Sequence, residues 1–139
     1  MVKLIVGKEG KGKTKHLLDK VNEEIKSASG NIVFLDRSSK HMFELNNKVR
    51  LVDVSEYDFT NISEFVGFIY GILSSDHDIQ QIYIDGIIKI TKVDKAGFAD
   101  LVNKLDAVSN TFKFDMIISA SIDESELDDE TKKKVIISL

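Results

Sequence analysis

The run Gly7-Lys8-Glu9-Gly10-Lys11-Gly12-Lys13-Thr14 combines glycines, lysines and a hydroxyl in the spacing Gly-x-x-x-x-Gly-Lys-Thr. Residues of these types so arranged suit one kind of chemistry, the holding of phosphate groups. Glycines lack a Cβ, so the backbone can wrap closely around an anion. The amides of Gly10, Lys11, Gly12, Lys13 and Thr14 would then point at phosphate oxygens, and the positive end of a following helix would add to the attraction. Lys13 is the expected contact to the outer phosphates and Thr14 an expected oxygen ligand for Mg²⁺. The candidate nucleotide-binding residues are Gly7, Gly10, Lys11, Gly12, Lys13, Thr14 and Lys15, with ATP or another nucleoside triphosphate and Mg²⁺ as cofactors.

A second candidate is Asp85, which ends the apolar run Ile82-Tyr83-Ile84 and precedes Gly86. A carboxylate at the end of a buried strand, beside a phosphate-holding loop, can hold Mg²⁺ through a coordinated water. Taken alone, an aspartate before glycine is an ordinary turn opening.

These elements must be positioned by the chain around them. Val2-Lys3-Leu4-Ile5-Val6 reads as a strand leading into the glycine loop, and a helix from about Lys13 to Lys26 follows, with Leu17, Leu18, Val21 and Ile25 at helical spacing. Gly30 is placed to end that helix. Further strands are expected at Asn31–Leu35, at Val49–Asp53 on an edge, at Gln81–Gly86, at Phe114–Ser121 and at Val135–Leu139. Helices are expected from a Thr60 or Asn61 cap onward and over Asp94 to Ser109, while the acidic stretch from Ser121 to Lys133 reads as one short, solvated helix. Strands alternating with helices, with nearly continuous apolar middle strands, predict an α/β fold: a three-layer α/β/α sandwich around a mostly parallel sheet, in a single domain over residues 1–139. Ligands of such sheets sit at the carboxyl ends of the strands.

On Gly7–Thr14 and Ile82–Asp85 the chain resembles the P-loop NTPase superfamily, the two segments matching its Walker A and Walker B motifs. The strand order resembles the additional-strand division, which includes RecA-like ATPases. That resemblance implies that the strand ending at Ser119 lies between the loop strand and the Asp85 strand, and that Ser119 or Ser121 takes the place of a sensor for the terminal phosphate. It also exposes a departure. Many such ATPases carry a glutamate directly after the Walker B aspartate as the base for water, and here that position is Gly86. RecA-like members place a glutamate at the end of the strand after the loop helix. Asp36 stands there, which makes Lys13 and Asp36 the candidate catalytic residues, with Glu9 and Glu124 as weaker bases.

Composition bounds the partners. A net charge of −4, with the only dense basic segment inside the glycine loop, disfavours nucleic acid. No apolar run approaches the length of a membrane span, and the lack of cysteine excludes a disulfide framework and thiolate metal sites, so a cytoplasmic location is expected. His16, His41 and His77 are scattered, and no metal cluster is expected from them. Arg37 and Arg50 are the only arginines. The expected function is a slow or partner-activated Mg-ATPase or switch, its activating arginine supplied by another copy or another protein. A nucleoside or nucleotide kinase similar to thymidine kinases, and a non-hydrolysing nucleotide-binding module, are the alternatives. Asn103-Lys104-Leu105-Asp106 matches a GTPase base-reading motif in letters only, because Leu105 belongs to a helical apolar stripe.

Overall fold

The computed structural model describes every residue from Met1 to Leu139. Strands β1 (Val2–Val6), β2 (Asn31–Asp36), β3 (Arg50–Asp53), β4 (Ile79–Ile84), β5 (Asp115–Ala120) and β6 (Val135–Ser138) form one six-stranded sheet in the order β3-β2-β4-β5-β1-β6. Every pairing is parallel. The helices are α1 (Lys13–Glu24), α2 (Ile62–Ser75), α3 (Ile87–Thr91), α4 (Lys95–Phe112) and α5 (Asp129–Lys132).

Successive side chains of a strand point to opposite faces. Val2, Leu4 and Val6 of β1, Val33 and Leu35 of β2, Ile82 and Ile84 of β4, and Met116 and Ile118 of β5 pack on one face against Phe65, Ile69, Phe98, Leu101 and Leu105 of α2 and α4. Ile5, Ile32, Phe34, Tyr83 and Ile117 face the other way and pack against Leu17, Leu18 and Val21 of α1. Both faces are covered, so the strands read as unbroken apolar runs. No helix is long and apolar enough to cross a membrane.

The register sets the site. Leu35 pairs with Ile84, Ile84 with Ile118, and Ile118 with Leu4. The next residues along β2, β4 and β5 are Asp36, Asp85 and Ser119, so three polar groups emerge side by side at the carboxyl edge. β5 lies between β1 and β4.

Three expectations are corrected. Helix α1 ends at Glu24, where the amides of Lys26 and Ser27 turn back to the carbonyls of Glu23 and Glu24. Gly30 does not cap it. A Cβ there would sit 2.4 Å from the Asp78 carbonyl oxygen, so glycine is required by a close backbone approach at the start of β2. The acidic stretch is not one helix. Asp123 caps a 3₁₀ turn at Glu124–Glu126 and Asp128 caps α5, because short polar side chains that bond nearby amides favour caps and turns over helix interiors. Helix α3, directly after Asp85-Gly86, carries no amphipathic signal long enough to read in advance.

Candidate functional site

The glycine loop joins β1 to α1. Gly10 and Gly12 have φ of 84° and 91°, a left-handed backbone that glycine adopts without strain. Gly7 is needed for another reason: a Cβ there would lie 2.9 Å from the Leu139 carbonyl oxygen, because the chain end packs against the start of the loop. The Leu139 amide donates to the Val6 carbonyl and the Gly7 amide to that of Ile122, which fixes the loop's base to the far end of the chain.

Lys13 is 7% exposed, although it carries an ammonium group. Its Nζ donates to the Lys8 carbonyl at 2.9 Å, across the loop. Desolvation lowers its pKa, against the opposing pull of the Asp85 charge. Thr14 Oγ1 donates to the Asp85 carboxylate, 3.0 Å from Oδ2 and 3.2 Å from Oδ1. Ser119 Oγ donates to Asp85 Oδ1 at 2.7 Å and accepts the Gly86 amide at 2.8 Å. Asp85 is thus held by a hydroxyl from α1 and a hydroxyl from β5, with no ammonium or guanidinium in ion-pair contact.

These groups line one cleft of about 240 Å³, formed by Glu9, Gly10, Gly12, Lys13, Thr14, Arg37, Lys40, Asp85, Gly86, Lys89, Ser119 and Ser121, with no hydrophobic residue among them. Of the residues expected at the site, Gly10, Gly12, Lys13, Thr14, Asp85, Ser119 and Ser121 meet here. Lys15 lies in a neighbouring cavity and pairs with Asp19, Lys11 is exposed on the loop, and Gly7 lies at the loop's base. Glu124 is not part of the cleft lining, and Glu9 is ion-paired with Lys89 of α3.

Lys40 and Lys89 also line the cleft, and no sequence pattern marks them. The Arg37 guanidinium reaches over Gly86, its Nε 3.5 Å from where a Cβ would stand. With Lys13, Arg37, Lys40 and Lys89 in its lining, against the acids Glu9 and Asp85, the cleft can hold a compact, multiply charged anion. Arg37 and Lys40 are in no ion pair, which leaves them available to it.

His41, scattered from the other histidines in sequence, lies beside two of the site's acids in the fold. Its Nδ1 lies 2.9 Å from Asp36 Oδ2, and potential ligand atoms of Asp36, His41 and Asp85 all lie within 4.8 Å of one another. The three come from the end of β2, the loop after it and the end of β4, so no sequence spacing links them. His16 is an exposed residue of α1, and His77 is exposed after α2. The GTPase-like letters have structural roles: Asp106 accepts the Val2 amide at 2.9 Å, and Leu105 is fully buried. No protein-family model matches the chain, and no curated protein matches it.

Proposed function

We propose that this chain is a P-loop nucleotide-binding protein that takes a Mg²⁺–nucleoside triphosphate, with ATP the first candidate, and hydrolyses it slowly on its own. The observation that carries the reading is the meeting of Thr14 and Asp85, 71 residues apart in sequence, at the mouth of a glycine loop whose lysine is already desolvated. Mg²⁺ takes oxygen ligands and keeps several waters, and a hydroxyl facing a carboxylate is a donor set that fits it. Thr14 and Asp85 would hold the ion, which neutralises phosphate charge when bound.

The chain's own residues supply the rest. Loop amides and Lys13 bind the phosphate oxygens, which releases Lys13 from the Lys8 carbonyl. Ser119 keeps the Asp85 carboxylate turned toward the loop. Arg37 and Lys40 line the cleft and can add positive charge beside the transferring group. An apolar platform for the base is missing from the cleft lining, so the phosphates supply most of the binding energy.

A panel of ATP, GTP and nucleosides with Mg²⁺ tests this, read by calorimetry and by phosphate release. Binding of a triphosphate with slow release and no acceptor is the expected result. Transfer only to an added nucleoside would make the protein a kinase. Binding without either reaction would make it a nucleotide-dependent interaction module. No binding of any triphosphate would refute the reading.

A further inference from the structure

We propose that Asp36, His41 and Asp85 form a binding site for one divalent transition-metal ion of the Zn²⁺ and Mn²⁺ class. The inference stands apart from the nucleotide reading, because it needs neither a nucleotide nor the glycine loop.

The register builds the site. Leu35 pairs with Ile84, and the Asp85 amide donates to the Leu35 carbonyl at 3.0 Å, so Asp36 and Asp85 leave neighbouring strands together. Alternation along β2 turns Asp36 to the face of Phe34, toward α1, where Asp85 meets Thr14. Both residues are buried, at 4% and 8% exposure, and their carboxylates come within 4.8 Å of each other. Buried like charges at this range repel, and burial is costly unless a cation accompanies them. Asp36 is ion-paired with no lysine or arginine, and Asp85 is in no ion pair at all. Lys13 feels the Asp85 charge, but its ammonium is turned to the Lys8 carbonyl.

The spacing suits a metal. Zn²⁺ takes imidazole nitrogen and carboxylate oxygen at about 2.0–2.2 Å. Neighbouring ligand atoms then stand about 3 Å apart around an octahedral ion and about 3.4 Å apart around a tetrahedral one. His41 Nδ1 and Asp36 Oδ2 are 2.9 Å apart, and a ligand atom of Asp85 lies within 4.8 Å of both. A rotation of the Asp85 carboxylate closes the set. When the ion binds, Nδ1 gives up its hydrogen bond to Asp36 and ligates through its lone pair.

The outer shell is also in place. The Arg37 amide holds Asp36 Oδ1 at 2.7 Å, which leaves Oδ2 toward His41. Ser119 Oγ holds Asp85 Oδ1 at 2.7 Å. Bonds of this kind fix the direction of a ligand. Asn22 pins the His41 loop to α1 through the Glu44 carbonyl and the Asn46 amide. A cavity of about 500 Å³ that His41 and Thr14 both line gives the ion a way in. One imidazole with two carboxylates favours Zn²⁺ or Mn²⁺ over Mg²⁺, which prefers oxygen ligands. Asp85 serves this set and the Thr14 pair alike, so Asp36 and His41 are the residues that tell the two apart.

The test titrates Zn²⁺ and Mn²⁺ alone, without nucleotide, into the full chain carrying no tag, read by calorimetry. His41→Ala, Asp36→Asn and a His16→Ala/His77→Ala double variant are compared, with circular dichroism to check folding. Nitrogen NMR of the labelled histidine rings reports which ring nitrogen carries Zn²⁺. One ion should bind per chain, at least about 100-fold more tightly than Mg²⁺. His41→Ala and Asp36→Asn should each weaken binding at least about 100-fold, since groups that merely support a ligand cost about 10–100-fold. The double variant should bind as the wild type does, and Zn²⁺ should shift the Nδ1 resonance of His41. If either site variant fails to fold, that resonance in the wild type decides.

A folded wild type that binds neither ion would overturn the proposal and leave an Asp36–His41 hydrogen bond only. Binding that survives His41→Ala, or that leaves the His41 resonances in place, would overturn it too. The titration contains no nucleotide, so its failure and a failure to bind Mg-ATP are read separately.

Discussion

At the scale of single residues, the site divides into contiguous and assembled parts. Gly10, Gly12, Lys13 and Thr14 are legible because they are neighbours in sequence and their chemistry needs that spacing. Asp85 is legible because it ends an apolar strand. His41, Lys40 and Lys89 are not, since only the folded sheet edge brings them near the loop. Ser119 could be nominated as a strand-end polar group, but not as the hydroxyl that joins Asp85 to the Gly86 amide. The role assigned to Asp85 gives a specific expectation. Asp85→Asn keeps the shape and most hydrogen bonding of the side chain but removes its charge. It should weaken ATP binding in Mg²⁺ by about tenfold or more, equivalent to about 1.4 kcal/mol, and change binding in EDTA little. Calorimetric titrations in the two buffers check this. Equal losses in both would make Asp85 a structural residue.

At the scale of elements, the periodic segments were readable and the irregular ones were not. Helices α2 and α4 follow from their apolar stripes and from their caps: Asn61 accepts the Glu64 amide and Asp94 the Gly97 amide. The end of α1, the break-up of the acidic stretch and the presence of α3 depend on local contacts that periodicity does not encode. Gly30 is the clearest case. Its tight approach to Asp78 predicts that Gly30→Ala destabilises the fold by about 1–3 kcal/mol, as overpacking does, because the obstructing atom is backbone. Urea unfolding measures this, and an unchanged midpoint would show that the β2 start can move freely.

Capping also sets an acid sensitivity. Hydrogen bonds from Ser55 to Asp53, Thr60 to Glu64, the Asp78 amide to Asp76, Ser125 to Asp123 and Thr131 to Asp128 hold these carboxyls below their ordinary pKa. Their folded pKa values are depressed, so the stability they add is complete above the unfolded carboxylate range, about 3.9–4.3. It is lost as pH falls through the lower folded values. The urea midpoint should therefore fall between about pH 6 and about pH 3. A midpoint that stays level or rises toward pH 3 would contradict that sign.

At the scale of the whole molecule, the sheet was the most legible feature. Nearly continuous apolar strands demand helices on both faces, and the order β3-β2-β4-β5-β1-β6 puts β5 between the glycine-loop strand and the Asp85 strand. What the sequence left open was how far the site is complete in one chain. The register brings Asp36, Asp85 and Ser119 to the same carboxyl edge, and Arg37, Lys40 and Lys89 line the cleft beside the glycine loop. The account stands or falls on whether that cleft binds a nucleoside triphosphate through its loop lysine. The most direct measurement is a calorimetric titration of Mg-ATP into wild-type protein and into Lys13→Ala, with circular dichroism to show that both are folded. We predict saturable binding by the wild type and a loss of at least about 100-fold in the variant, about 2.7 kcal/mol. Equal affinity of the two folded proteins, or no binding by the wild type, would contradict it.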